Sequence, residues 1–284
     1  MTQPNLQLSA DLVAAKINSL PPLPAIVLEL LSSIDDEDCN VDQITEKISH
    51  DQALVARLLR IANSPFYGLQ SKVDSVQDAV VVLGLRQVRM LAIALSTASS
   101  LNLIKVPGFS FRAFWDHSLL AAIGARALAH QLKLPEENAF AAGLLHDVGR
   151  LALASCFPEH AAAVMRYLQQ HDVDIPEAEF TILGTDHTQI GAMLAKRWGF
   201  PDTLCGAIAD HHTPDHAERR SLTSLVHVAD ALSHALDLTD SSLERVPPMS
   251  ETCWFGLGLN SEMLQETFKS IESRFQAIQS SLPH

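Results

Sequence analysis

Signals for β-strands are nearly missing from this sequence. Val80-Val81-Val82 is the one short β-branched cluster, and it sits inside a helical pattern. Tyr and Trp are scarce as well, with 2 and 3 copies, so the core must be built from Leu, Ala and Val. Those residues carry good helix propensity, and their abundance excludes intrinsic disorder. Positive charge is in deficit: 20 Lys and Arg stand against 33 Asp and Glu, a formal charge of −13. A chain so acidic is a poor binder of nucleic acid or anionic membranes, both of which need a basic surface. Cysteine is sparse, and Cys39, Cys156, Cys205 and Cys253 form no CxxC pair, which argues against a zinc knuckle or redox motif. Isolated thiols fit a reducing, cytoplasmic setting. The N-terminus has no basic stretch leading into an apolar one, so no signal peptide is expected. The longest uncharged apolar run, Met90 to Ile104, is too short to span a bilayer.

Long Ala/Leu-rich segments punctuated by Pro and Gly are what the chain does have. They predict helices over 11–20, 24–33, 40–48, 51–62, 75–100 with a pause at Gly84, 110–132, 136–156, 159–171, 177–183, 187–198, 201–211, 218–236 and 261–281. Asn40 and Asp51 are candidate N-caps, Ser75 with Asp78 resembles a capping box, and 35–38 reads as a solvated acidic loop. The expected class is all-α. Pro107-Gly108 marks the expected boundary. It gives an N-terminal helical subdomain over 1–106, a metal-binding helical subdomain over 107–246 and a C-terminal helical extension over 247–284.

Against the acidic background stand 13 histidines. His is the commonest metal ligand and the side chain most easily used near neutral pH. Several cluster in the second half beside carboxylates: His117, His146-Asp147, His187, His211-His212 and Asp230. Each has an ordinary alternative. His117 alone reads as a hydrogen-bonded core residue. His146-Asp147 could be a buried polar pair. His187 could open a helix capped by Asp186, and His211-His212 could cap a helix C-terminus. Asp230 could pair with His227 or His234, three residues before and four after it. Taken together they form an N/O donor set without thiolate, suited to Fe, Mn, Ni or Zn. Adjacent His and Asp on one helix splay by about 100°, so both reach one metal only where a helix end or a neighbour helps. Asp147 has two oxygens and could bridge two ions. Gly143 and Gly149 flank the pair and would let another helix or a ligand approach.

In this order the residues resemble the HD superfamily of metal-dependent phosphohydrolases, with its H…HD…D signature on a helical scaffold. The closer likeness is to the HDOD branch, the HD-related output domain. Leu20-Pro21-Pro22-Leu23-Pro24, Ile48-Ser49-His50-Asp51-Gln52-Ala53-Leu54, Leu59-Arg60-Ile61-Ala62-Asn63-Ser64, Ala79 to Leu85 and Trp115-Asp116-His117-Ser118 carry it, over roughly 15–240. The resemblance implies an HD-type helical bundle with an N-terminal helical subdomain in a bacterial signalling protein. Many members of that branch lack the metal ligands, whereas this chain keeps His117, His146, Asp147 and Asp230. His187, His211 and His212 resemble the further ligands of the HD-GYP branch, which hydrolyses cyclic dinucleotides. One ion would then take His117, His146, Asp147 and Asp230, and a second would share Asp147 and take His187, His211 and His212. Three departures stand out. Thr213-Pro214-Asp215-His216 replaces the Gly-Tyr-Pro segment, Arg150 replaces a lysine, and Ala113 stands where some members have an extra Glu. They argue against a third metal and against a cyclic-dinucleotide pocket of that type.

Arg150 is three and four residues beyond the His-Asp pair and is either a phosphate contact or a carboxylate-paired residue. The resemblance implies phosphoester hydrolysis with Asp147 and Arg150 at the reacting centre. The alternative is a non-catalytic signalling output or scaffold whose metal is structural or ligand-sensing. Expected partners are signalling proteins or a phosphorylated or nucleotide small molecule. Arg57/Arg60 and Arg86/Arg89 are either a partner-facing surface or an ordinary solvated one.

Overall fold

The computed structural model describes residues 6–32, 40–63, 72–99, 101, 105–214, 220–239 and 245–281. The expected features at 35–38, Cys39, Ser64-Pro65, 102–104 and Asp215-His216 lie outside these. Among the described residues every regular element is a helix.

The first half comprises α1 (Ala10–Ser19), α2 (Ala25–Ser32), α3 (Val41–Ser49), α4 (Gln52–Ala62), α5 (Val76–Leu83) and α6 (Leu85–Ser99). Its ends follow the expected capping chemistry. Asn40 Oδ1 accepts from the amides of Asp42 and Gln43. Asp51 Oδ1 accepts from Leu54 N–H at 3.0 Å. Ser75 Oγ accepts from Asp78 N–H at 3.0 Å and donates to Asp78 Oδ2 at 2.7 Å. The shorter Asp thus bonds the cap's hydroxyl, where the longer Glu of the usual box reaches back to its amide. Gly84, at φ +86°, separates α5 from α6 in a conformation that favours glycine. Arg89 is buried on α6 and cannot face solvent, which removes it from the expected partner surface.

The second half comprises α7 (Phe111–Leu132), α8 (Glu136–Leu145), α9 (Val148–Cys156), α10 (Pro158–Gln170), α11 (Ile175–Leu183), α12 (His187–Arg197), α13 (Asp202–Asp210), α14 (Leu222–Ala235), α15 (Glu251–Leu257) and α16 (Ser261–Ser281). The central helix is α7, against which α8, α14 and α16 pack. Its Ala121, Ala122, Gly124 and Ala125 are small, so neighbours come close: a Cβ on Gly143 of α8 would lie 2.7 Å from Ala122 Cα. Helices α9, α12, α13 and α14 complete a second layer, and α6 packs on α8 to join the halves. The N-terminal α1 docks on α9 and α12. Arg197 at the end of α12 fixes it there, donating to the carbonyls of Ile17 at 2.6 Å and Leu20 at 2.8 Å.

Two expectations are corrected. The segment 136–156 is not one helix but two, broken at His146-Asp147, where Asp147 adopts φ −93° and ψ 14°. The apolar spacing continues through the break, so periodicity gives no sign of it. Helix α15, capped by Ser250 and ended by Gly258 at φ +71°, has no counterpart among the predicted helices.

Gly149 takes the closest approach among the described glycines. A Cβ there would lie 1.8 Å from His187 O, at the start of α12. Gly149→Ala should therefore lower stability by about 1–3 kcal/mol or more, through forced separation of α9 and α12. Gly206→Ala has its nearest obstacle 3.9 Å away and should be neutral or stabilising by up to about 1 kcal/mol. Paired denaturant titrations of the two variants check this contrast.

Candidate metal centre

The break between α8 and α9 turns the adjacent His146 and Asp147 inward together, which a continuous helix would prevent. Around them the fold gathers His117 from α7, His187 from the first position of α12, His211 and His212 just past α13, and Asp230 from α14. All seven residues singled out in the sequence meet at one place. His117, His146, Asp147, His187, His211 and Asp230 are buried, and His212 is half-buried.

Their Nε2 atoms crowd the two carboxylates. His187 Nε2 lies 3.1 Å from Asp147 Oδ1, His211 Nε2 3.5 Å and His146 Nε2 3.6 Å. His117 Nε2 lies 3.1 Å from Asp230 Oδ1 and 3.9 Å from Asp147 Oδ2. His212 Nε2 is 3.2 Å from His187 Nε2, and His117 Nε2 is 3.3 Å from His146 Nε2. His234, which the sequence offered only as a partner for Asp230, brings its Nε2 to 3.4 Å from Asp230 Oδ1. His227 does not reach Asp230. Its Nδ1 donates to His211 O at 2.6 Å and its Nε2 accepts from Ser250 N–H at 2.9 Å, tying α14 to the turn that carries His211.

The outer nitrogens fix which tautomers are present. His146 Nδ1 is 2.7 Å from Gly143 O, and His211 Nδ1 is 3.0 Å from Ile208 O. A carbonyl only accepts, so each Nδ1 carries a proton. His187 Nδ1 donates to Glu179 Oε2 at 2.7 Å, and the same oxygen accepts His187 N–H. Ser233 Oγ donates to Asp230 O at 2.8 Å, so at 3.2 Å it accepts from His117 Nδ1. Four imidazoles thus point the nitrogen that can ligate toward two carboxylates. Glu179 and Ser233 are the positioning residues that sequence reading missed. Their partners are remote in sequence, at 8 and 116 positions.

Hydrogen bonding leaves part of this centre unsatisfied. Among the described residues, Asp147 Oδ1, both carboxylate oxygens of Asp230 and His211 Nε2 are buried without a hydrogen-bond partner. The short contacts are within ionic range but do not align as hydrogen bonds. Burial opposes charge on every group here, and the neighbours decide the outcome. For Asp147, burial is outweighed by His146, His187 and Arg150, which hold its carboxyl well below the usual range. For Asp230 it is outweighed by His234, His117 and His146, with the same result. His187 overcomes burial through Glu179 and Asp147 and is pushed well above the usual imidazole value. His146 is raised by Asp147 and Asp230. His211 and His212 are lowered by burial and by neighbouring imidazoles, so both are neutral.

Buried anions ringed by inward imidazole nitrogens suit a divalent cation that displaces the protons. Three sets have donor atoms within 4.8 Å of one another: Asp147, His187, His211 and His212; His117, His146 and Asp147; and His117, Asp230 and His234. Asp147 is shared by two of them. A cavity of about 200 Å³ opens beside the centre, lined in part by Asp147, Arg150, His187, His212, Asp230 and His234. Asp174, Ile175, Pro176, Arg245 and Pro247 also line it. Arg150 is buried, not on the surface, and donates to Asp147 Oδ2 at 3.0 Å. It meets the carboxylate-paired alternative while still lining the cavity. Arg245 in the lining pairs with Asp172.

The profile of the HDOD domain matches residues 20–214. The chain belongs to the HDOD family. Among solved HDOD-type structures, one HDOD domain protein from Geobacter sulfurreducens shares the fold at TM-score 0.82 and 24% identity, with 97% of this chain and 100% of that one covered. A candidate phosphohydrolase from Shewanella amazonensis SB2B is 30% identical at TM-score 0.74, over 95% of this chain and 96% of that one. A relative from Treponema pallidum (strain Nichols) is 26% identical over 94% of this chain and 52% of its own length. The ribonuclease Y of Oleidesulfovibrio alaskensis is 34% identical over 42% of this chain but only 18% of that enzyme. This HDOD chain therefore spans about half, or far less, of these curated relatives. No single helix among its described residues is long and apolar enough to cross a membrane.

Metal loading of the HDOD centre must displace the protons that His146 and His187 hold above the ordinary imidazole value. A raised pKa keeps those nitrogens protonated further up in pH, so affinity should rise as pH climbs through and beyond about 6.5. Calorimetric titration with Zn²⁺ in buffers of different ionisation heat should show proton release. Affinity should be at least about tenfold higher at pH 8 than at pH 5.5. Binding that is independent of pH would contradict this account.

Proposed function

We propose that this HDOD chain is a metal-dependent phosphohydrolase acting on a phosphoester in bacterial signalling. The observation that carries the reading is the four buried, unpartnered donor atoms facing one another beside a cavity. The candidate phosphohydrolase from Shewanella amazonensis supports it. His117, His146, Asp147, His187, His211, His212 and Asp230 would hold the metal, with two ions of Fe, Mn, Ni or Zn the fitting complement. Bound there, the metal supplies the Lewis acidity that polarises a phosphoryl oxygen and makes water nucleophilic at neutral pH.

The chain's own residues do the rest. Glu179, Ser233 and the carbonyls of Gly143 and Ile208 hold the imidazole rings so that the ligating nitrogens stay inward. Asp147 and Asp230 supply the negative charge that retains a cation. Arg150, held by Asp147 at the cavity, presents a planar guanidinium to a phosphate. The cavity of about 200 Å³ suits the phosphoryl end of a phosphorylated or nucleotide small molecule. Ribonuclease Y acts on RNA by its name, yet a charge of −13 disfavours an RNA surface on this chain. The isolated cysteines Cys156, Cys205 and Cys253 support a cytoplasmic setting.

A second reading has a specific observation in its favour. A candidate signal-transduction protein from Marinobacter aquaeolei VT8 is 28% identical at TM-score 0.78, and this chain covers 61% of it. In that reading the chain is an output module that binds signalling proteins, and its metal is structural or ligand-sensing.

Protein loaded with Fe, Mn, Ni or Zn should hydrolyse a phosphomonoester or phosphodiester in a panel that includes nucleotides and an RNA oligonucleotide. Arg150→Ala should lower kcat/KM by about 10²-fold. The double variant His146→Ala, Asp147→Ala should lose both metal and activity. A loaded protein inert toward the whole panel, with the double variant still restoring the signalling output of a deletion strain, favours the output module instead.

A further inference from the structure

We propose that His234 is a metal-ligating residue, completing with His117 and Asp230 a donor set for a divalent transition metal distinct from the set of Asp147, His187, His211 and His212. The inference rests on the metal-dependent reading above and alters how the centre divides. On the family pattern, His117 and Asp230 share an ion with His146 and Asp147, and His234 has no part.

The geometry points elsewhere. His117 Nε2 and His234 Nε2 converge on the same oxygen, Asp230 Oδ1, at 3.1 and 3.4 Å. The two rings lie 4.3 Å apart between centroids and 33° out of parallel, so they flank that oxygen from neighbouring directions. Four residues of helix place His234 one turn beyond Asp230 on the same face of α14. The contacts are within ionic range, yet both Asp230 oxygens are buried without an aligned hydrogen bond, which leaves their lone pairs available to a cation. His117 cannot turn away, because Ser233 holds its other nitrogen. His146 is 3.6 Å from Asp230 Oδ1 and equally 3.6 Å from Asp147 Oδ1, so it stands between the two sets. His234 stands at the cavity edge, with 11% of its side chain exposed. An ion held there would keep one side open to a small molecule.

The test uses the full chain, stripped with chelator and reloaded with Co²⁺. The readouts are cobalt per chain by elemental analysis and the visible absorption of the bound ion. His234→Ala should retain about one equivalent less, or bind its last equivalent at least about tenfold more weakly, with a changed spectrum. His187→Ala should alter the other set, with a different spectral change. Millimolar imidazole should restore the lost equivalent in His234→Ala, because the side chain it replaces borders the cavity. His234→Gln, which keeps a polar side chain at the site, should lose cobalt likewise if His234→Ala proves poorly folded by circular dichroism. Folded variants at position 234 with unchanged stoichiometry, affinity and spectrum would overturn this inference alone. A native chain that takes up no cobalt would overturn it together with the metal-dependent reading.

Discussion

Two buried carboxylates set the terms for the rest of this structure. Asp147 and Asp230 are ionised at the meeting point of the second-half helices, and unpaired buried charge is costly. The surrounding imidazoles meet that cost only in part, since Asp147 Oδ1 and both Asp230 oxygens have no aligned hydrogen bond. Their outer nitrogens are tied to carbonyls, a hydroxyl and a carboxylate, leaving the inner nitrogens turned toward the anions. In the metal-free chain, protons on His146 and His187 substitute for the missing positive charge. A divalent cation does the same task better, since it accepts several lone pairs at once.

The bundle's less regular features follow from that demand. The interruption between α8 and α9 aims two consecutive side chains at one point. Gly149 lets the first turn of α12 press against α9, which brings His187 beside Asp147. Glu179, buried on α11, holds the ring and amide of His187 with one oxygen. His227 secures the backbone at His211 from α14 and receives the amide of Ser250, so α15 is fastened to the same turn. Even α1 bears on the centre, since Arg197 clamps it to the far end of the helix that starts with His187.

Much of this was legible in the sequence. Ala/Leu-rich spacing and caps at Asn40, Asp51, Ser75 and Asp186 locate most helices, because those signals are local. The seven site residues stood out as polar groups on apolar segments, in an order that one family shares. What the sequence hid was tertiary. Leu144-Leu145 and Val148 continue a helical apolar rhythm through the break at His146-Asp147. Glu179 reads as a surface acid until His187 is seen to dock on it. His234 at four residues from Asp230 looked like an ordinary helix-face partner, and only the approach of His117 from α7 gives it another meaning. Helix α15 lies between Pro247-Pro248 and Gly258, whose breaker character masks the cap at Ser250.

The central claim is that the ring of Nε2 atoms around Asp147 and Asp230 is a cation site. Crystals of metal-loaded protein, measured above and below the absorption edge of the bound element, test this most directly. The account predicts anomalous density inside the ring, about 2.0–2.3 Å from ligating nitrogens and carboxylate oxygens of this set. Loaded crystals whose anomalous density avoids that ring, with these imidazoles and carboxylates bonded to one another or to water instead, would contradict it.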